Sequence, residues 1–276
     1  MRWKQFFTPV KLIDANQVRD LIKETDSHHM TILDVRQPNE YEEGHIPGAT
    51  LIPLPQLDKR FHEIDPSKQT IVYCAIGGRS RIAAQFLAGN GFGKLINLSG
   101  GFKAWNGESA YGREKEGLEL FSGNESPEKT LGLAYSLEQG LHDFYVTMEE
   151  KVNNNDAQQM FRKLSSVELI HQDRIYLEYM ELTKNGVSKK TFVNTIVSDV
   201  MEGGLTTEEY IRMFNPDMTS PREITEIAMS IEAQALDLYF RAAKNASDER
   251  SRTFLLKIAD EERIHLAELG KLMERI

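Results

Sequence analysis

The sequence predicts two domains of different class: an α/β domain with a mainly parallel sheet, then an all-α four-helix bundle. Three observations predict it. Over residues 30–110 short β-type runs alternate with helical patterns, which is how a helix-covered parallel sheet reads. From Ser126 onward the apolar residues recur at helical spacing, with no strand-like alternation. The charge also steps: residues 1–112 carry 13 Lys+Arg and 12 Asp+Glu, while residues 113–276 carry 20 and 30. The first part is thus +1 and the second -10, which together give the net charge of -9. A length of 276 residues suits two domains of ordinary size.

The step falls in a weakly apolar stretch rich in Gly, Ser and Glu, running from Gly107 to Ser126-Pro127. It predicts a first domain over 1–106, a linker over 107–126 and the bundle over 127–276. Other classes drop out on composition. One cysteine, Cys74, excludes a disulfide framework and a four-cysteine metal site within the chain. No run approaches 18 apolar residues, and the start, MRWKQFFTPVKLID, lacks the apolar core of a signal peptide. No membrane span and a cytoplasmic location are expected. The acidic second half argues against nucleic acid as a partner.

In the first domain, helical stretches are expected at about 15–24, 55–62 and 80–91, and strands at Met30–Asp34, Thr70–Cys74 and Leu95–Leu98. His28 and His29, adjacent before the first of these strands, read as surface residues. Ligands of parallel sheets bind beyond the carboxyl ends of the strands, and Cys74 lies at such an end. Ala75, Ile76, Gly77, Gly78 and Arg79 follow it, and Ser80 opens an amphipathic helix. The glycines let the backbone curl so that successive N–H groups point at the sulfur. Such a nest, backed by a helix N-terminus and by Arg79, favours an anion and lowers the thiol pKa.

These residues resemble the rhodanese-like sulfurtransferases over roughly residues 9–106. Asp34-Val-Arg36 precedes Glu40-Tyr-Glu-Glu-Gly-His45-Ile-Pro47-Gly-Ala. Cys74-x-x-Gly77-x-Arg79-Ser80 forms the loop, and Gly100-Gly101-Phe-x-Ala-Trp105 closes the domain. The resemblance implies that Cys74 accepts a sulfane sulfur, carries it as a persulfide and passes it to a thiol or cyanide. Residues 75–80 would cradle the sulfur, and Arg79 would attract an anionic donor such as thiosulfate; a polysulfide is the other donor expected. Asp34, Arg36, Glu40 and His45 read as supports of the fold and loop. Cysteine phosphatases of similar fold place the arginine six positions after the cysteine; Arg79 follows Cys74 by five, a tighter ring that suits sulfur.

The second half predicts helices near 127–151, 155–183, 221–245 and 248–274. Ser126-Pro127 opens the first and Ser220-Pro221 the third, each a Ser N-cap followed by Pro. The same offset of 94 relates Glu138 to Glu232, Tyr145 to Tyr239, Glu168 to Glu262 and His171 to His265. Ala134/Ala228, Ser136/Ser230 and Asp143/Asp237 coincide as well. The half thus reads as a helical hairpin present twice. Its Glu and His residues fall within apolar stripes, and buried charges need partners or a metal. Glu and His three positions apart share one helix face, so four helices would bring six ligands into one core.

That arrangement resembles the ferritin-like, rubrerythrin-like family with its carboxylate-bridged dinuclear metal centre. The resemblance implies two iron ions per chain, with manganese or zinc as other candidates. Glu138 and Glu232 would each bind one ion, Glu168 and Glu262 would bridge, and His171 and His265 would bind one ion each. Tyr145 and Tyr239 read equally as hydrogen-bond donors to the site or as core aromatics. His142, whose repeat counterpart is Leu236, is either an extra ligand or peripheral. Two departures stand out: Ala235 occupies the place of an additional family glutamate, and one cysteine cannot build the four-cysteine iron centre that usually delivers electrons. The connection at 185–220 is expected to be a long crossover that leaves the second and third helices parallel, with Thr206 and Glu209 capping a short helix.

Together these readings describe a sulfurtransferase joined to a dinuclear carboxylate site of redox or metal-binding function. Two alternatives remain open: a di-iron oxidase or peroxidase with an auxiliary rhodanese domain, and a redox or sulfide sensor. A homodimer through the helices is compatible with this bundle type.

Overall fold

The computed structural model describes residues 10–152, 154–184, 186–196, 217 and 220–273. The chain divides into two compact units, Met1–Glu114 and Lys115–Ile276.

The first unit is a five-stranded sheet in the order β1-β5-β4-β2-β3, parallel throughout. Its centre is β2 (Met30–Asp34), β4 (Gln69–Tyr73) and β5 (Leu95–Leu98), the three apolar runs legible in the sequence. The edges, β1 (Lys11–Ile13) and β3 (Thr50–Leu51), are too short to stand out as runs. Helices α1 (Ala15–Glu24), α2 (Pro38–Glu42), α3 (Leu57–Arg60) and α4 (Gly78–Gly89) connect the strands. The sheet separates two apolar layers, one around Val18, Tyr41, Ile71 and Leu98, the other around Leu33, Val72, Ala84 and Leu87. Continuous apolar strands are what burial on both faces requires.

The second unit contains four long helices, α5 (Pro127–Lys151), α6 (Asn155–Thr183), α8 (Pro221–Asn245) and α9 (Glu249–Met273), with a short α7 (Lys189–Ile196) after α6. The two serine caps form as the repeat predicts: Ser126 accepts from the Lys129 N–H at 3.4 Å and Ser220 from the Glu223 N–H at 3.3 Å. Met160 meets Thr225, each near the N-terminal end of its helix, so α6 and α8 start at the same end of the bundle. Thr206, Glu209 and nearly all of 213–218 lie outside the described residues.

Residues 107–126 have partners of their own. His45 and Ala110 exchange backbone hydrogen bonds of 2.8 and 3.0 Å in the first unit. In the second unit Phe121 is buried against the bundle beside Leu118 and Leu120, and its carbonyl accepts from Asn245 at 3.0 Å.

Candidate functional site

Two chemical centres emerge, one in each unit. The first lies just past the carboxyl end of β4, the central strand. Helix α4 begins two residues earlier than the apolar pattern suggests. Gly77 adopts φ +99°, and this left-handed turn lets Gly78 and Arg79 enter the first helical turn. The turn brings the Gly77 N–H to 3.1 Å from the Cys74 sulfur. Burial pushes the Cys74 thiol up, but hydrogen bonds from the Ser80 hydroxyl and from the Ser80, Ile76 and Gly77 amides outweigh it and hold the thiol below its ordinary value. The Ser80 hydroxyl also lies 3.2 Å from the Gly77 carbonyl, so its proton can turn to either acceptor.

A second glycine fixes the loop from outside. The Phe102 and Lys103 amides donate to the Cys74 and Ala75 carbonyls at 2.7 and 2.9 Å. That approach needs Gly101, where φ is +62° and a Cβ would stand 2.2 Å from the Cys74 carbonyl oxygen. The Gly-Gly-Phe motif marks these residues in the sequence, but not their clamping role, which depends on backbone from a distant segment.

The other landmark residues support this loop. Arg36 is buried on Asp34 at 2.7 Å, donates to the Gly44 carbonyl and lies 4.3 Å over the Phe102 ring. His45 stacks on Tyr41 at 3.5 Å. Arg79 makes a two-bond pair with Glu40 at 2.6 and 2.7 Å. Glu40 thus holds the guanidinium in place, and its charge also acts on Cys74. Cys74 itself is 1% exposed, while Ile76 at the loop crest is 71% exposed.

The second centre is the interior of the bundle. Glu138 from α5, Glu168 and His171 from α6, Glu232 from α8, and Glu262 and His265 from α9 are all buried and converge. His171 Nδ1 lies 3.0 Å from Glu138, 3.1 Å from Glu168 and 3.8 Å from Glu262. His265 Nδ1 lies 3.4 Å from both Glu232 and Glu262 and 3.9 Å from Glu168. The two imidazoles stack with centroids 4.7 Å apart. All six residues predicted from the repeat thus meet at one point, in three overlapping groups able to hold a metal ion.

Tyr145 and Tyr239 act as hydrogen-bond donors, and they cross. Tyr145, on α5, donates to Glu232 on α8 at 2.5 Å, and Tyr239, on α8, donates to Glu138 on α5 at 2.6 Å. Each repeat's tyrosine therefore holds the other repeat's single glutamate, a partnership that spacing along one helix cannot reveal. His142 stands apart, half-buried beside Asp143. The sequence also passes over Glu261, which lies 3.5 Å from His171 Nε2.

The electrostatics are those of a site short of positive charge. Burial pushes Glu168 and Glu262 well above the usual carboxylate range, with neighbouring carboxylates adding to it. Burial also acts against Glu138 and Glu232, but their imidazole and tyrosine partners hold both below that range. Burial alone would lower His171, yet Glu138 and Glu168 lift it to about 11. Both oxygens of Glu168 and of Glu262, one of Glu232 and Nδ1 of His265 have no hydrogen-bond partner. Six such atoms aimed at one point fit metal ions, because a native core otherwise satisfies its buried polar groups.

Known proteins resemble the two halves separately. The rhodanese-like domain family matches residues 14–108 and the rubrerythrin family matches residues 129–273. An uncharacterized protein, YqhL, of Bacillus subtilis is 51% identical over 77 residues, 28% of this chain and 61% of its own length. A sulfurtransferase of Allochromatium vinosum is 32% identical over 35% of this chain and 88% of its own. The thiosulfate sulfurtransferase GlpE of Pseudoalteromonas translucida is 33% identical over 38% and 96% respectively. The chain thus spans less than two thirds of the first of these relatives. Among the described residues no helix is long and apolar enough to cross a membrane.

Proposed function

The chain belongs to the rubrerythrin family through its helical half and to the rhodanese-like sulfurtransferases through its α/β half, and on that premise we propose that it moves sulfane sulfur on Cys74 and binds two metal ions in the bundle. The single observation behind the first part is the set of donors converging on the Cys74 sulfur. A thiolate held there attacks the outer sulfur of thiosulfate or a polysulfide. The donor's S–S bond breaks, sulfite or the shortened polysulfide leaves, and a persulfide anion remains on Cys74. A thiol or cyanide then attacks the terminal sulfur and the Cys74 thiolate departs. The loop amides stabilise the anion in every one of these states, so no donor has to be rebuilt between steps.

For the bundle, the reading is supported by the six unsatisfied atoms and by charge. Four carboxylates carry four negative charges, which two divalent ions would balance with both imidazoles neutral. Glu138, Glu168, Glu232, Glu262, His171 and His265 would hold the ions, and iron in such a site supplies one-electron redox chemistry. Tyr145 and Tyr239 hold Glu232 and Glu138 in orientation by their hydrogen bonds. An oxidase or peroxidase role for this centre is the second reading, and oxygen or peroxide consumption by the iron-loaded protein would support it.

The test of sulfur transfer uses thiosulfate and a polysulfide as donors, with cyanide and a thiol as acceptors. Transfer by the native chain and its fall to background in Cys74→Ser, with metal uptake unchanged, are expected. Equal rates for the two proteins would sink the proposal.

A further inference from the structure

We propose that Glu261 is a positioning residue that makes the two metal positions unequal, so that the ion at His171 is bound more tightly than the ion at His265. The inference rests on the reading of the buried cluster as a dinuclear metal site.

The repeat makes the ligands themselves symmetric: each half supplies one single glutamate and one Glu-x-x-His pair. Their surroundings are not symmetric. Nδ1 of His171 faces the cluster, and its outer nitrogen, Nε2, faces Oε2 of Glu261 at 3.5 Å. The other oxygen of Glu261, Oε1, is held by an ion pair with Arg174, one turn along α6 from His171. Glu261 is therefore fixed with one oxygen on the guanidinium and one toward the ring. The outer nitrogen of His265 has no carboxylate within 4 Å among the described residues; Glu268, one turn along α9, acts on His265 only at longer range and is itself held by Lys163. Among the described residues its carboxylate contacts are Glu168, Glu232 and Glu262, all made by Nδ1 on the cluster side.

The offset of 94 explains the difference. The counterpart of Glu261 is Val167, which can accept no proton from a ring nitrogen. The counterpart of Arg174 is Glu268, already paired with Lys163 at 2.5 Å. The repeat therefore preserves the ligands but not the support of His171.

A metal-bound imidazole usually donates its other ring N–H to a carboxylate. That bond selects the tautomer whose free lone pair faces the metal, holds the ring in plane and makes the ligand more basic. Losing such a partner weakens metal binding by roughly 10–100-fold. His171 has a carboxylate oxygen 3.5 Å from its outer nitrogen, within reach of such a bond, and among the described residues no carboxylate stands in that place for His265. His171, Arg174 and Glu261 also line a cavity of about 260 Å³, so Glu261 stands beside His171 with space around it rather than in a close-packed core.

The experiment is a manganese(II) titration of the metal-free full chain by calorimetry, with anomalous diffraction on crystals grown at one equivalent. Native protein is expected to bind in two resolved steps about 10–100-fold apart, with the first ion beside His171. Glu261→Ala should weaken the tight step and narrow the gap. Val167→Glu should strengthen the weak step and narrow it from the other side, an effect that no merely structural role of Glu261 would produce. Two equal native sites, a first ion beside His265, or a gap unmoved by both substitutions would overturn the inequality alone. A native protein that takes up no ion would overturn the metal-site reading and this inference with it.

Discussion

The sulfur loop and the core of the bundle both concentrate negative charge, and they manage it by opposite means. In the loop one sulfur is served by donors drawn from its own neighbourhood: the Ile76, Gly77 and Ser80 amides and the Ser80 hydroxyl. In the core four carboxylates from four helices face one another, and the two tyrosines reach only Glu138 and Glu232. The loop is electrostatically complete without a ligand. The core is not: Glu168 and Glu262 are left without hydrogen-bond partners, and burial drives both toward the protonated form. A protein can stabilise one anion with fixed backbone dipoles, but four in a dry interior call for cations from outside.

The contrast breaks most easily in the core. Glu262→Gln should cost more than about 100-fold in metal affinity, since it removes a ligand outright rather than its support. It should also stabilise the metal-free protein by about 1–3 kcal/mol, because glutamine is neutral without the proton uptake that burial forces on Glu262. Chemical denaturation with and without manganese measures both, and a metal-free protein that loses stability would contradict the picture of excess negative charge.

The crossed tyrosines come next. Tyr145→Phe and Tyr239→Phe each remove a hydrogen bond to a buried carboxylate and should each cost about 2 kcal/mol in the metal-free protein. The crossed geometry predicts similar losses, so a large effect from one and none from the other would break the two-fold relation between repeats.

In the loop, Ser80→Ala removes a donor that helps to hold the Cys74 thiol below its ordinary value. Thiolate is the nucleophile, so transfer rises with pH up to the thiol pKa. The substitution should move that rising limb to higher pH and cost about tenfold in rate at neutral pH. An unmoved limb would mean that the backbone amides suffice.

The smallest effect concerns Glu40, which the hydrogen bonds of Arg79 hold at a pKa of about 2 against an ordinary 4.5. The folded value is the lower one. The pair therefore stabilises fully above about pH 4.5 and loses its contribution as pH falls toward 2. Both side chains are partly exposed, so the contribution at neutral pH is about 1 kcal/mol or less. The stability gap between native protein and Glu40→Gln should shrink from pH 7 to pH 3; a widening gap would refute the assignment.

Much of this is legible in the residue order. The central strands, the cysteine loop and the four long helices follow from local pattern, because burial on two faces or one stripe writes itself into residue order. The two-residue strand β3 and the three-residue β1 carry too little pattern to read, and they exist because a neighbouring strand offers its edge. The repeat made the six-residue cluster readable, since an offset of 94 singles out buried Glu and His residues from the many that are solvated.

Other features belong to the folded chain alone. Residue order places Tyr145 two turns from Glu138, yet the partner it holds is Glu232, because helix packing and not helix period selects which side chains meet across a core. Gly101 reads only as part of the motif that closes the domain, and assembly makes it the gap through which the Phe102 and Lys103 amides reach the loop. Arg79 reads as a free cation until Glu40, 39 residues away, closes on it. Residue order and the repeat single out the candidate residues of both centres. Their partners are chosen by long-range packing, which no spacing within a single helix or loop encodes.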